Sequence, residues 1–295
     1  MSSQTLEAIA RAACAIAGLP TTGMTAIKVA ENAIYRLPEN RVVIRVAQPG
    51  QRGVAERELL IAAWLRSTDV SAVEPADQPT TFVMVEDHPV TFWKELPSHR
   101  GGTVTEIAGA LRKLHALDPP TFLSDLDPFV RLEQRIDAAV TLDTRDRDWL
   151  KQHLAALQER WDRRPDGLSW GPVHGDAWEG NVVTTNDDDT TLFLDLERTS
   201  VGPPEWDLTS TAIKDSSFGW LTPERYADFA RAYGHDVTTW TGFPLLRDIR
   251  EMRMTCMAVQ AAARNPDLAA QAQLRVDCLR GRLGTRPWAG WEPIP

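Results

Sequence analysis

Between Val173 and Asn181 the chain reads Val-His-Gly-Asp-Ala-Trp-Glu-Gly-Asn, and a short distance on it reads Leu194-Asp195-Leu196-Glu197. A tight loop with one carboxylate, Asp176, an amide five residues later, Asn181, and a second carboxylate at the end of the next hairpin, Asp195, can converge on a magnesium-bound phosphate chain. That is an arrangement for phosphoryl transfer. Asp176 can accept the proton of an attacking hydroxyl and orient it. Asn181 and Asp195 offer the hard oxygen ligands that magnesium prefers, with coordination positions left for phosphate oxygens and water. His174 is read as a brace of the loop, and Gly175 as the residue that permits a backbone shape a side chain would obstruct. A metal-hydrolase reading of His174 and Asp176 needs more ligands at helical spacing, and His88, His99, His115, His153 and His235 form no such cluster.

The elements that must position these residues differ along the chain. After an opening amphipathic helix, Thr25 to Ala30, Ala33 to Leu37 and Val42 to Ala47 read as antiparallel strands, the last two joined through Pro38-Glu39-Asn40. Gln51 to Leu65 reads as an amphipathic helix, followed by strands at Thr80 to Val85 and Val90 to Trp93 around Glu86-Asp87-His88. From Thr103 the period becomes helical, first to His115, then over Asp146 to Trp161, Pro223 to Tyr233 and Leu245 to Ala263. Short strands around Val182-Val183 and Thr191 to Leu194 flank the Asn-Asp-Asp-Asp turn at 186 to 189. The expected division is a β-rich part, 1–95, and a mainly helical part, 96–295, with an ordered loop at Arg286 to Trp291.

The HGDxxxxN pattern from His174 to Asn181, Asp195 after it, and Gly202-Pro203-Pro204-Glu205-Trp206-Asp207-Leu208 in the place of a G-x-P-x-x-D-L element resemble the aminoglycoside phosphotransferase and choline kinase superfamily. The resemblance extends forward. Glu31-Asn32-Ala33-Ile34-Tyr35-Arg36-Leu37 looks like the hairpin that covers the nucleotide, Glu58 with Trp64 like the helix acid and its apolar turn, and Glu95-Leu96-Pro97 like the connector whose backbone receives adenine. It implies an α+β fold that is bilobal and protein-kinase-like, with a β-rich N-terminal lobe and a mainly helical C-terminal lobe. It also implies a nucleotide site that draws on Asn32, Arg45, Glu58, Glu95 and Leu96, with ATP or GTP and Mg2+ as cofactors. Asn181 and Asp195 would hold the metal, Asp176 would be the catalytic base, and the acceptor would be a small-molecule hydroxyl on an antibiotic such as an aminoglycoside, a sugar or an amino alcohol. One position departs from the family: the strand lysine that contacts phosphates is here Arg45, which keeps the charge and can grip two oxygens at once but has a different head geometry.

Several residues carry two readings. Arg45 either contacts phosphates or forms a salt bridge to Glu58 alone. Trp178 and Glu179 either line the acceptor pocket or, for Trp178, pack under the loop. Asp248 and Glu251 either meet amino groups of a cationic acceptor or face solvent. Asp207 reads as a helix cap rather than a metal ligand. Trp288 and Trp291 fold against the helical part or bind substrate. Lys28, on the first strand, is a rival cation to Arg45 with no role implied by the resemblance.

Composition narrows the classes. Of 295 residues 43% are hydrophobic, enough for a sizeable core, and the net charge of -9 argues against nucleic acid as a partner. No apolar stretch is long enough to cross a bilayer, no signal peptide is read, and Cys14, Cys256 and Cys278 without CxxC spacing suit reduced thiols in a cytoplasm. Two other classes stay open. A nucleotide-binding pseudokinase with a regulatory role is suggested by Arg45. A protein kinase shares the loop logic but lacks here a GxGxxG loop and an activation segment between Asp195 and Asp207.

Overall fold

The computed structural model describes residues 3–29, 32–77, 81–292 and 294. Ala30, Glu31 and Thr80, which the sequence places in a strand, the nucleotide-covering hairpin and a second strand, lie outside the described residues. The chain runs through α1 (Ser3–Ala17), β1 (Thr25–Val29), β2 (Ala33–Leu37), β3 (Val42–Val46), α2 (Arg52–Leu65), β4 (Phe82–Val85), β5 (His88–Lys94) and β6 (His99–Gly101). It continues through α3 (Val104–His115), α4 (Leu132–Asp137), α5 (Thr144–Asp162), β7 (Gly171–Val173), β8 (Val182–Thr185), β9 (Thr191–Phe193) and β10 (Ser200–Gly202). The last helices are α6 (Glu205–Ser216), α7 (Pro223–Tyr233), α8 (Phe243–Arg264) and α9 (Ala269–Leu279). The fold is α+β, with an antiparallel front part and a helical back part, and it gathers into two compact units, residues 1–106 with 179–199, and residues 107–178 with 200–295.

The first unit is built on a five-stranded sheet in the order β1-β2-β3-β5-β4, every neighbouring pair antiparallel. Strand alternation decides what each face carries. Tyr35 and Leu37 of β2, Ile44 and Val46 of β3 and Phe92 of β5 are buried together with Leu6, Ile9, Ala10, Ala13 and Cys14, which form one stripe of α1. Each of the larger side chains in that layer contributes roughly 1.5–3 kcal/mol of burial. The alternate residue Arg45 therefore stands on the other face, where α2 supplies Glu58. A second sheet, β6-β8-β9, completes the unit. Gly101 is needed at its edge, because a Cβ there would stand 2.8 Å from the carbonyl oxygen of Glu179. His88 belongs to β5 rather than to the preceding turn, since its Nδ1 is 2.7 Å from the Ala47 carbonyl and the ring is buried.

In the second unit α8 is buried along most of its length, with Leu246, Ile249, Met252, Cys256 and Val259 packed among Leu132, Ile136, Leu150, Leu157 and Trp206. Most of the elements that the sequence leaves unmarked are short. β7 and β10 have three residues each and pair with one another, α4 has six, and α6 starts behind two prolines. The three- to six-residue elements are too brief to show a period, whereas α6 and α9, with 12 and 11 residues, are long enough and are left unmarked. Trp288 and Trp291 of the tail are buried against Phe218 and Cys278, and the Trp288 N–H donates to the Ser217 carbonyl at 2.8 Å. The tail is the ordered loop anticipated. Cys14, Cys256 and Cys278 are free and buried, and no helix among the described residues is long and apolar enough to cross a membrane.

Asp207 corrects one expectation. It is not the cap of a helix: α6 begins at Glu205 with Pro204 at the N-cap position, and Asp207 lies inside the first turn. Its carboxylate points to the loop that carries Asp176, as described below.

Candidate active site

The β8–β9 hairpin sets the two expected metal ligands. Val182 pairs with Phe193, and one step toward the open end the Leu194 N–H donates to the Asn181 carbonyl at 2.8 Å. Asn181 and Asp195 therefore stand at neighbouring strand ends. The opposite end is closed by the 186–189 turn, where Asp188 accepts from the Thr185 hydroxyl and the Thr190 N–H. Asp195 adopts φ 53°, ψ 65°, a left-handed conformation that Asp tolerates better than most residues but that still costs of the order of 1 kcal/mol. Local strain of this kind gathers at sites that need a side chain aimed in one direction.

Beside this hairpin, Arg45 is the centre of a charged cluster. Its Nη1 donates to Glu58 at 2.5 Å, its Nη2 to Glu197 at 2.6 Å, and Asp195 Oδ1 lies 3.7 Å away. With the Asn32 amide turned so that its oxygen faces the guanidinium, that oxygen accepts from Arg45 Nη2 at 2.8 Å and Nε at 3.3 Å. Arg57 adds a bond to the Glu197 backbone carbonyl at 2.5 Å. Arg45 does pair with Glu58, and not with Glu58 alone: the same guanidinium also reaches Asp195 and Glu197 after β9. Lys28 lies on the exposed strand β1. Glu197 received no role from the sequence, although its place two residues after Asp195 was the available signal.

Burial works against the charge of Arg45, but Glu58, Asp195 and Glu197 outweigh it and raise its pKa further. Glu58 moves up from 4.5 to about 7, because burial and the neighbouring Asp195 and Glu197 carboxylates exceed the pull of Arg45. Three acids share one guanidinium, so one of them keeps a proton readily. Since the folded-state value lies above the unfolded one, the folded protein holds a proton that the unfolded chain has released between pH 4.5 and about 7. This contribution to stability is complete below pH 4.5 and is lost as pH rises through about 7. Denaturation midpoints measured across that window are expected to carry a downward component with rising pH, and Glu58→Gln removes it.

The loop bearing Asp176 lies in the second unit, after β7. Gly175 has φ 86°, the positive value its small size permits. Asp207 holds the loop from below: its Oδ2 accepts the His174 N–H at 2.7 Å and its Oδ1 accepts the Gly175 N–H at 2.8 Å. His115 Nε2 lies 3.2 Å from the same carboxylate, and its Nδ1 lies 2.8 Å from the Tyr233 hydroxyl. A carboxylate only accepts, so Nε2 carries the proton. His174 Nδ1 accepts the Asp176 N–H at 3.3 Å, which makes it the brace that was expected. Asp176 itself is half-buried.

Asp207 is completely buried, and burial would raise its pKa; His115, His174 and Arg250 outweigh this and lower it. Its contribution to stability is therefore present above its ordinary value of 3.8 and lost on acidification below it. Asp207→Ala is expected to cost about 3–5 kcal/mol, since it strands two buried backbone N–H groups and a buried histidine. Urea denaturation of the variant checks this.

The remaining candidates are scattered. Glu95 accepts from Arg36 at 2.6 Å, its own N–H donates to the Arg41 carbonyl at 2.9 Å, and Leu96 follows it half-buried. Trp178 is 45% exposed, so it does not pack under the loop. Glu179, also exposed, belongs to the first unit. Glu251 does not face solvent: it is fully buried and bound through both oxygens to Arg286, at 2.7 and 2.5 Å. Asp248 shares Arg286 and also pairs with Arg160. Among the described residues no group of three or more His, Cys, Asp or Glu side chains is gathered as for a metal ion.

Within the first unit a strand cation is joined to a helix acid beside the β8–β9 hairpin, and within the second the loop bearing Asp176 is braced by Asp207. The phosphotransferase enzyme family matches residues 24–247, and the chain belongs to that family. Comparison with curated proteins found no match. Among solved structures, amicoumacin kinase hAmiN, in complex with AMP-PNP, Ca2+ and Ami, is similar with a TM-score of 0.71 and 13% identity, over 97% of this chain and 98% of that one. A choline/ethanolamine kinase family protein from Mesorhizobium loti gives 0.63 and 19%, over 96% and 95%. Aminoglycoside phosphotransferase APH(3'')-Id from Streptomyces rimosus, in complex with ADP and streptomycin, gives 0.58 and 17%, over 84% and 99%. At these identities the likeness is one of fold, and that fold is the protein-kinase-like one.

Proposed function

We propose that the protein is a nucleotide-dependent O-phosphotransferase that moves the γ-phosphoryl group of ATP or GTP to a hydroxyl of a small molecule. The observation that carries this reading is the β8–β9 hairpin, which brings Asn181 and Asp195 to neighbouring strand ends with Asp195 held in a left-handed conformation. Their oxygen donors fit magnesium, whose charge neutralises phosphate oxygens during transfer. Arg45, kept charged by its acids, grips the nucleotide phosphates; Asn32, Glu58, Glu95 and Leu96 complete the nucleotide side. Asp176 accepts the hydroxyl proton of the acceptor, the acceptor oxygen forms the new bond to phosphorus, and the bond to the leaving nucleoside diphosphate breaks.

In functional terms residues 1–95 form the nucleotide-covering lobe and 96–295 the catalytic and acceptor-binding lobe, a division that differs from the compact units in where β6 and residues 179–199 fall. Exposed Trp178 and Glu179 are the acceptor contacts favoured; Glu251 would take part only by giving up Arg286. The acceptor is an antibiotic such as an aminoglycoside, a sugar or an amino alcohol, handled in the cytoplasm. The test is nucleotide consumption with a panel of aminoglycosides, peptide antibiotics, nucleosides, sugars and amino alcohols, read by mass detection of a phosphate adduct. An adduct on one class supports the reading; nucleotide consumption with none in any class contradicts it.

One observation favours a second reading. Arg45 stands where the family commonly has a lysine, and its planar head differs in geometry, which favours a nucleotide-binding pseudokinase with a regulatory role. Nucleotide binding without transfer to any acceptor would support that reading, whereas phosphorylation of proteins alone would indicate a protein kinase.

A further inference from the structure

We propose that Arg250 is a positioning residue for Asp176, reaching from α8 to fix the peptide plane that precedes the catalytic aspartate. The inference rests on the phosphotransferase reading of Asp176. The peptide unit between Gly175 and Asp176 offers one carbonyl and one N–H. Arg250 Nη1 donates to that carbonyl at 3.1 Å, and His174 Nδ1 accepts that N–H at 3.3 Å. Both ends of the plane are therefore held. Rotation of this plane would swing the Asp176 Cβ, and Gly175, at φ 86°, has no side chain to resist it. The restraint has to come from the partners.

The two partners differ in kind. His174 belongs to the loop and moves with it, whereas Arg250 stands on a buried helix and supplies a fixed reference. Its second nitrogen, Nη2, donates to the Trp206 carbonyl at 2.7 Å, its guanidinium carbon lies 3.9 Å from the Trp206 ring centroid, and Nη2 is 3.9 Å from Asp207 Oδ1. The ring, the carboxylate and two carbonyls offset the cost of burying the cation. Asp207 thus holds the N–H groups of His174 and Gly175, and Arg250 holds the carbonyl of Gly175, so donors and acceptor of the loop are tied to α6 and α8 together.

Arg253, almost one turn further along α8, is an internal comparison. It is also buried and near the Trp206 ring, but its Nη1 donates to the Pro128 carbonyl at 2.7 Å. Steady-state transfer, thermal unfolding and added guanidinium are measured on wild type, Arg250→Ala and Arg253→Ala. Arg250→Ala is expected to lose about 10- to 100-fold in kcat with the nucleotide KM changed by less than about twofold, because a small misplacement of a reacting group costs rate rather than binding. Millimolar guanidinium is expected to restore part of that kcat by entering the vacated space over Trp206. Arg253→Ala is expected to lose thermal stability and keep its kcat. Wild-type kcat in Arg250→Ala overturns the proposal, and so does an equal loss in both variants without guanidinium rescue. If Arg250→Ala does not fold, Arg250→Gln carries the same kcat comparison. A wild-type protein that transfers to no acceptor and to no water sinks the phosphotransferase reading and this inference with it. That result is distinct from an active wild type whose Arg250 variants are unaffected.

Discussion

Asp176→Ala is expected to lower phosphoryl transfer by about 10²- to 10⁴-fold, the usual worth of a positioned proton acceptor. The protein should still fold. The loop backbone is held by Asp207, His174 and Arg250, which the substitution leaves in place, and the Asp176 side chain is half-buried. On the proposed function Asp176 acts on the acceptor hydroxyl rather than on the nucleotide, so nucleotide affinity is expected to change little. The combination of lost kcat, retained melting temperature and retained nucleotide binding separates a chemical role from a structural one. Isothermal titration with a non-hydrolysable nucleotide, beside steady-state kinetics, measures it. Asp176→Asn should behave alike, since the amide keeps the size and cannot take the proton.

Asp195 is expected to matter as much, by a different route. On the proposed function, loss of the carboxylate would remove one of two oxygen ligands for magnesium, and metal stabilisation of transferring phosphate is worth several kcal/mol, about 10³-fold or more in rate. Asp195→Ala also places alanine at φ 53°, a conformation it adopts poorly, so part of its effect would be backbone strain. Asp195→Asn is the cleaner variant because asparagine tolerates that conformation. Both should lose transfer, and the magnesium concentration for half-maximal activity should rise in Asp195→Asn. A normal magnesium dependence in that variant would place the metal elsewhere. Removing Asp195 also takes one acid away from Arg45 and Glu58, so the pH dependence of stability assigned to Glu58 should weaken in the same variants.

What could be read in advance followed from local chemistry and period. The alternation of β2 and β3, the stripe of α1 and the periodicity of α7 and α8 are legible because each repeats over enough residues to show its phase. Asp176, Asn181 and Asp195 are legible because the loop and hairpin that hold them are short and continuous in sequence. Asp207 was half legible. Its motif marked it, but its role depends on partners at 115, 174 and 175, which only the fold brings to it. Arg250 and Tyr233 carried no signal, as an arginine or tyrosine in a helix reads as surface until its face is known. The same limit applies to Glu251, which looked like a solvent charge and is a buried partner of Arg286. Glu197 was visible as an acid and invisible as the partner of Arg45, because 152 residues separate them.

The most direct test follows the label of nucleotide carrying radioactive phosphorus at the γ position, incubated with magnesium and the acceptor panel in the presence of wild type, Asp176→Ala and Asp195→Ala. The prediction is that label moves onto a small molecule with the wild type and stays on nucleotide with both variants. Label transfer retained by both variants would contradict the mechanism.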